Sequence, residues 1–409
     1  MTILRTAPPV QVRTSPPRLR QWDWVLVLAA VSLSMLGAVL IWSATSARLT
    51  AAGQWAGSSA ARHVLNLVLG LALCWVVSRL GHRAIRRYTP ILYAASVLGL
   101  VLVLSPLGST INGAQAWIRL PSGFTVQPSE FAKVAIIVGV ALVLADRGSS
   151  EGPDLPTLVR ALALAAVPVT LVMLQPDLAT LVRALAIAAV PVMLVMLQPD
   201  LGTVLVILSI VVGMLVVAGI RLVHLIALAA LGLAAVLAAL VLGLVDDYQI
   251  DRLTAFASPD EGARTFGYNT QQARIAIGAG GLLGRGLGQG SQTQGGFVPF
   301  NHTDFVFSVA GEELGFLGVC VLLSLLALVL WRGLTIALRA RDLFGRLVAS
   351  GIVLWFGLQA FENIGMNLGI MPVTGVPLPF VSYGGSSMFA AWIGIGLLLN
   401  IHAGATADD

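Results

Sequence analysis

The sequence predicts an all-α polytopic membrane protein with about ten transmembrane helices and one large loop before the eighth. Three observations predict it. Apolar residues make up 57% of the chain, charged residues only 11%, and the mean hydropathy is +0.90; a soluble domain carries about 25% charged residues. Apolar runs of membrane-spanning length recur along the chain. Arginines collect in alternate short connections, as they do in cytoplasmic loops. The excess of basic residues, 24 against 19 acidic, is therefore a matter of topology and does not mark a nucleic-acid surface.

Spans are expected at 24–44, 64–80, 88–104, 131–144, 204–220, 223–245, 305–331, 347–368 and 388–401, with a further one in a duplicated segment. Residues 1–20, rich in Pro and Arg and too polar for a signal peptide, read as a cytoplasmic tail. Residues 21–403 read as a single integral-membrane domain, and 404–409 as a C-terminal tail. Arg13, Arg18 and Arg20 precede the first span; Arg79, Arg83, Arg86 and Arg87 follow the second; Arg147 and Arg221 fall in later connections. Arg332, Arg339, Arg341 and Arg346 follow the span after the long loop. With ten crossings and both termini cytoplasmic, all of these lie on one side of the membrane. The loops 105–127, 246–304 and 372–386 then share the opposite, extracytoplasmic side.

The segment 158–203 is a tandem duplication. Residues 158–180 and 181–203 differ only at Leu164/Ile187, Thr170/Met193 and Ala179/Gly202. Two copies fall short of a solenoid, so the pair reads as a local duplication. It must contribute an odd number of crossings, or every downstream basic loop would change sides. Cys74 and Cys320 both lie in apolar spans, which supports neither a disulfide framework nor a cysteine metal site.

The extracytoplasmic loop 246–304 is long for a stretch with no evident regular structure. Its hydrophobic residues, among them Phe256, Phe266, Tyr268, Leu282 and Phe297, describe a folded lid more than a disordered tether. It closes on Asn301-His302-Thr303-Asp304-Phe305. A carboxylate at the edge of an apolar span is costly and usually faces a cavity or a partner, which makes Asp304 the sharpest catalytic candidate. The plainer reading is that Asp304 caps the helix that follows. His302 can transfer protons or serve as a hydrogen-bonded structural residue.

Glu130 and Lys133, the only lysine, are spaced to pair on one helix face after Gln127-Pro128-Ser129. They either position something or lock helices. Trp117 and Arg119 put an aromatic and a cation on the first large loop, where Trp commonly anchors at the interface. The glycine-dense stretch 278–296 could bring backbone amides to a phosphate. It has no Gly-Lys-Ser/Thr and no strand–helix context, so it is neither a Walker A motif nor a dinucleotide fingerprint. Residues 377–387 form a second extended and then tight turn, tolerated near a membrane only where protein or a wet cavity receives it.

Several motifs occur together in register: Gly113-Ala114-Gln115 with Trp117; Gln127-Pro128-Ser129-Glu130 with Lys133; Gln198-Pro199-Asp200-Leu201-Gly202-Thr203; and His302-Thr303-Asp304-Phe305. So do Gly311-Glu312-Glu313-Leu314-Gly315 and Gly375-Val376-Pro377-Leu378-Pro379 with Ser382-Tyr383-Gly384-Gly385-Ser386. On these the chain resembles the SEDS cell-wall polymerases (shape, elongation, division and sporulation), the RodA/FtsW family. Val376 and Tyr383 resemble the RodA branch.

The resemblance implies the SEDS fold and a peptidoglycan glycosyltransferase that polymerises lipid II for cell-wall elongation and cell shape. It places the catalytic aspartate at Asp304, with a divalent cation (magnesium or manganese) as cofactor, Asp304 as its candidate ligand, and no organic cofactor. Arg119, Arg274 and Arg285 become candidates for pyrophosphate contacts. Trp117, Gln127, Glu130, Lys133, Gln198, Asp200, Gln272, His302, Thr303, Ser382, Tyr383, Gly384, Gly385 and Ser386 become candidates to line the substrate site. The implied partners are lipid II, membrane lipids and a single-pass class B penicillin-binding protein, with no nucleic acid.

One departure stands out. The first copy of the duplicated motif ends Gln175-Pro176-Asp177-Leu178-Ala179-Thr180, so the family role is assigned to the second copy, which keeps Gly202. The competing reading is a transporter that flips lipid II, or a non-catalytic scaffold of the cell-wall machinery. A transporter places ionisable groups mid-span beside paired discontinuous helices, and a scaffold has no need of Asp304.

Overall fold

The structure, a computed structural model, describes residues 21–111, 114–119, 125–145, 159–160, 163–164, 201–220, 222–241 and 266–405. The N-terminal tail, most of the duplication, residues 242–265, and Gln198 and Asp200 lie outside the described residues. Every span expected outside the duplication coincides with a helix. These are α1 (Trp24–Ala51), α2 (Ser58–Arg79), α3 (His82–Leu104), α4 (Pro128–Ala145), α5 (Leu201–Val217) and α6 (Leu222–Val241). After the long loop come α9 (Val306–Arg339), α10 (Leu343–Leu368) and α11 (Gly385–Ala405). Six of the described helices are long and apolar enough to cross a membrane, and a shorter apolar one covers Gly202–Val217. The protein is a polytopic helical membrane protein.

Two elements depart from the sequence reading. The stretch taken as loop holds a 15-residue helix, α7 (Phe266–Gly280), and a short one, α8 (Ser291–Gln294). Glycines and Asn269 conceal α7 in the sequence, since they are poor helix formers. The helix is held instead by tertiary packing of Ala273 and Ala276 against Phe305 and Val298. The loop after α3 forms a three-stranded antiparallel sheet: β1 (Gly108–Ile111), β2 (Ala114–Arg119) and β3 (Thr125–Val126). Trp117 pairs with Ser109 and Arg119 with Thr125.

One end of the bundle is fastened by charge. Asp23 caps α1 through Leu26 N–H at 3.1 Å and accepts two N–H groups of Arg332, at 2.6 and 2.8 Å. Asp342 caps α10 through Gly345 N–H and meets His82 at 2.9 Å, with Arg86 at 4.0 Å. Burial alone would raise the Asp342 carboxyl. The hydrogen bond and charge of His82, the Gly345 amide and the charge of Arg86 outweigh burial and hold it below the usual carboxylate range. The core between the ends is largely apolar, with Trp355, Phe356, Phe380 and Trp392 meeting in series, tilted and then edge to face, at 4.9 to 5.9 Å between ring centroids.

Helix α9 is broken inside. Gly315 has φ 67° and ψ −168°, which frees backbone groups on either side. The glycine-dense stretch supplies their partners. Arg285 and Gly286 N–H donate to the Glu312 and Glu313 carbonyls at 3.0 Å, and Phe316 and Leu317 N–H donate to Gly281 and Leu282 carbonyls at 2.9 and 3.1 Å. Irregular backbone inside a spanning helix is stable only when protein satisfies it in this way. These amides serve the fold, and Gly280 and Gly284 are explained by close approach to the backbone of residues 311–314.

Candidate active site

Asp304 lies where three loops meet at the end of the bundle opposite the Asp23–Arg332 and Asp342–His82 contacts. Helix α9 begins at Val306, and its N-cap residue is Phe305, whose side chain makes no capping bond. Asp304 immediately precedes that N-cap. Three consecutive carbonyls of this segment are gripped. The His302 carbonyl accepts Tyr383 N–H at 3.0 Å. The Thr303 carbonyl accepts Ser382 Oγ–H at 2.6 Å. The Asp304 carbonyl accepts Asn363 Nδ2 at 2.8 Å and Asn367 Nδ2 at 3.1 Å.

The turn carrying Ser382 is closed by Leu378 N–H donating to Ser382 Oγ at 2.8 Å, and Gly384 leads into α11. Ser386 Oγ then accepts Gln127 N–H at 2.9 Å and donates to the Thr125 carbonyl at 3.3 Å. The sheet loop, the Asp304 loop and the Ser382 loop are therefore joined. A Cβ on Gly385 would stand 3.5 Å from Asn66 Nδ2, so α2 also packs against this turn. Gly375, with φ 76°, places its open side 3.8 Å from Asp304 Oδ2.

Two aromatic residues carry strain here. Phe300 and Phe380 have φ of 53° and 66°, a region bulky side chains rarely adopt. Phe300 turns the chain into the Asn301–Phe305 segment, its carbonyl accepting Thr303 and Phe305 N–H. Phe380 is seated against Phe356 and Trp392. Strain of about 1–3 kcal/mol per residue persists only where packing over-determines it, and it gathers at functional sites.

Beneath the loops lies a fully buried ion pair. Lys133 donates to Glu130 and to Gln359, each at 2.8 Å, and sits 5.2 Å from the Trp355 ring centroid. Trp355 also donates to Gln359 at 2.7 Å, and Gln359 donates to the Pro377 carbonyl at 2.8 Å. The pair locks α4 to α10 and holds the 377 turn from below. A single polar face of α10, at spacings of four, thus runs Gln359, Asn363, Asn367. Sequence reading passed over these residues, although three amides at i, i+4 and i+8 on an apolar helix were the available signal.

His302 sits 5.9 Å from the Tyr383 ring. Burial, then the charge of Arg48, lowers its pKa to about 4, so the imidazole is neutral at physiological pH. Trp117 and Arg119 lie on β2, Arg119 exposed, beside the strand that Ser386 ties down. Gln272 and Arg274 are on α7, whose neighbouring Ala273 packs on Phe305; Arg274 Cδ would stand 3.2 Å from a Cβ on Gly369, at the end of α10. Arg285 donates to the Ala279 carbonyl at 3.0 Å and to Ser291 at 3.2 Å, contacts that belong to the glycine-dense segment rather than to the three-loop cluster. Among the described residues no group of three or more His, Cys, Asp or Glu gathers to hold a metal.

Comparison with known proteins shows the family. The family profile described as "cell cycle protein", covering FtsW, RodA and SpoVE, matches residues 23–190 and again 180–407, the overlap falling in the duplicated segment. The chain belongs to the FtsW/RodA/SpoVE family. The match is nearly end to end in single relatives as well. The chain is 34% identical to a probable peptidoglycan glycosyltransferase FtsW of Trichlorobacter lovleyi, over 97% of each chain. It is 35% identical to the peptidoglycan glycosyltransferase MrdB of Escherichia coli K12, over 95% of this chain and 96% of that one. Among solved structures, a chain from a peptidoglycan synthase complex that coordinates polymerisation and crosslinking superposes with TM-score 0.71 at 33% identity, over 94% and 98% of the two chains. The rod shape determining protein RodA of Thermus thermophilus superposes with TM-score 0.62 at 32% identity, over 93% and 96%. The chain is a SEDS glycosyltransferase with the fold of that family.

Proposed function

We propose that the chain polymerises lipid II into glycan strands at the outer face of the plasma membrane, with Asp304 as its catalytic carboxylate. The observation that carries this reading is the 302–304 segment, whose three consecutive carbonyls are held at the meeting of three loops. In the reaction, the bond between the donor sugar's anomeric carbon and the pyrophosphate oxygen breaks. A new bond forms to the acceptor's 4-hydroxyl oxygen. Asp304 takes the hydroxyl proton, and undecaprenyl pyrophosphate leaves with the bonding electron pair. Arg119 and Arg274 are the cations we assign to the pyrophosphate.

A magnesium-like ion fits the residues present, because such ions commonly take one or two carboxylates and complete their shell with water and substrate phosphate. Asp304 would hold it, and the ion would supply charge neutralisation for the departing pyrophosphate. We further infer that both termini are cytoplasmic, and that a class B penicillin-binding protein supplies crosslinking. The RodA-like Val376 and Tyr383 support a role in elongation and cell shape.

The test is polymerisation of labelled lipid II by purified protein, with and without a class B partner and divalent cation. Wild type yields glycan ladders that Asp304→Asn and Asp304→Ala abolish; ladders from both variants would remove Asp304 from the chemistry. Complementation of cells depleted of their elongation or division polymerase separates the two roles.

A second reading, translocation of lipid II, is favoured by one feature: the break of α9 at Gly315 beside buried Glu312 and Glu313, since transporters use discontinuous helices. Glu312, however, accepts Gln292 and Thr293 N–H, each at 2.8 Å, and Thr293 Oγ1–H at 2.7 Å. The freed backbone groups are satisfied as well. Such a site is built to stay closed. A vesicle assay with fluorescent lipid II that showed transport but no ladders would reverse this preference.

A further inference from the structure

We propose that Asn363 and Asn367 of α10 are positioning residues for the Asp304 carboxylate, an inference that rests on Asp304 being the catalytic group. Both donate to the same atom, the Asp304 carbonyl oxygen. Asn363 gives its second N–H to the Val376 carbonyl at 2.8 Å, next to Gly375, whose open side faces Asp304 Oδ2. Asn367 gives its second N–H to the Asn363 carbonyl at 2.8 Å, and its Oδ1 accepts Ser308 N–H at 3.1 Å in the first turn of α9. The two amides therefore fix Asp304 from below, the α9 start behind it, and the Val376 segment beside it.

Asn363 is fully buried and its Oδ1 has no hydrogen-bond partner, while its Nδ2 serves two carbonyls. The orphaned acceptor costs stability, and an apolar residue of similar shape would leave those carbonyls short of a donor. What the amide alone supplies is two donors aimed at two carbonyls from different loops. Orientation of the Nδ2 is set by those carbonyls, which can only accept. A catalytic base must hold its place to fractions of an ångström, because a shift of about 1 Å can lower a rate by about a hundredfold. A backbone gripped at three consecutive carbonyls meets that need.

The experiment compares Asn363→Leu, Asn367→Leu and the amide-retaining Asn363→Gln and Asn367→Gln with wild type and Asp304→Asn, in full-length protein in lipid nanodiscs. Polymerisation of labelled lipid II gives kcat and KM, and thermal unfolding is followed on the same samples. Expected are losses of about tenfold or more in kcat for the Leu variants. Their KM should change little, their unfolding temperature should fall because partner groups lose a bond, and kcat per folded molecule should still be reduced, with part of the rate restored in at least one Gln variant. A kcat equal to wild type in a folded Leu variant overturns the proposal. So does a kcat loss that only mirrors lost folded protein and is no smaller in the Gln variants. If the Leu variants do not fold, the Gln variants decide: a kcat below wild type in folded protein upholds the proposal, and wild-type kcat in both overturns it. Asp304→Asn separates the two levels. If it retains ladders, the catalytic assignment fails; if it abolishes them while the Asn variants keep their kcat, only the positioning role fails.

Discussion

A Cβ on Gly315 would lie 2.2 Å from the amide nitrogen of Gly284, so these two glycines meet backbone to backbone where α9 breaks. Both have positive φ, 67° and 80°. An alanine at either position meets the steric contact and the unfavourable backbone region together. Gly315→Ala is expected to cost more than about 1–3 kcal/mol, the range for left-handed strain alone, because the neighbour is backbone and cannot swing away. Thermal unfolding in detergent checks this, and an unchanged transition would show that the break is not held by this contact.

The Lys133–Glu130 pair predicts a different signature. Both side chains are essentially inaccessible, so removing one partner leaves a buried charge without its counter-charge. Lys133→Ala is expected to destabilise by about 3–5 kcal/mol, whereas the double change Lys133→Ala, Glu130→Ala recovers part of the loss. A double-mutant cycle on unfolding free energies measures the coupling. Additive single losses would mean the pair contributes nothing beyond its parts.

Gly202 carries the assignment of the duplicated motif. A Cβ there would stand 2.2 Å from Val376 Cγ2 and 2.7 Å from Thr374 Cβ, in the segment that Asn363 holds beside Asp304. The Ala179 of the first copy would bring that Cβ, so the first copy cannot take the second copy's seat without moving Val376. Gly202→Ala should therefore reduce polymerisation of lipid II by about tenfold or more through displacement of this segment. Wild-type rates from Gly202→Ala would show that the seat is looser than these distances require.

Much of this was legible in the sequence for one reason: a membrane span is announced by the length of its apolar run. Asp304 drew notice as a candidate because a carboxylate beside Phe305-Val306-Phe307 is chemically out of place. Helix α7 was not, because its glycines argue against helix while Ala273 and Ala276 earn their place only against Phe305, far enough along the chain to be invisible locally. The glycine-dense stretch pointed toward an anion, and only the backbone partners of Glu312 through Leu317 showed its purpose. The amides of α10 have a visible spacing, but the acceptors of Asn363 are backbone carbonyls 59 and 13 residues distant, which no side-chain pattern records.

The half-buried imidazole of His302 predicts a pH dependence with a definite sign. Its pKa falls from 6.5 to about 4 in the folded protein, through burial first and the charge of Arg48 second. Below pH 6.5 the unfolded chain takes up a proton that the folded chain refuses until about pH 4. The stability contribution is therefore complete above pH 6.5, declines as pH falls toward 4, and levels off below. Replacing the imidazole by the neutral amide in His302→Gln removes this dependence. The difference in unfolding temperature between wild type and His302→Gln should shift against wild type as pH is lowered from 7 to about 4.5. For the same reason the ring is neutral throughout the physiological range, where it can donate or accept one hydrogen bond beside Tyr383 but adds no positive charge near Asp304. A difference that stays constant across this range would show that His302 titrates in the folded state as it does in the unfolded chain.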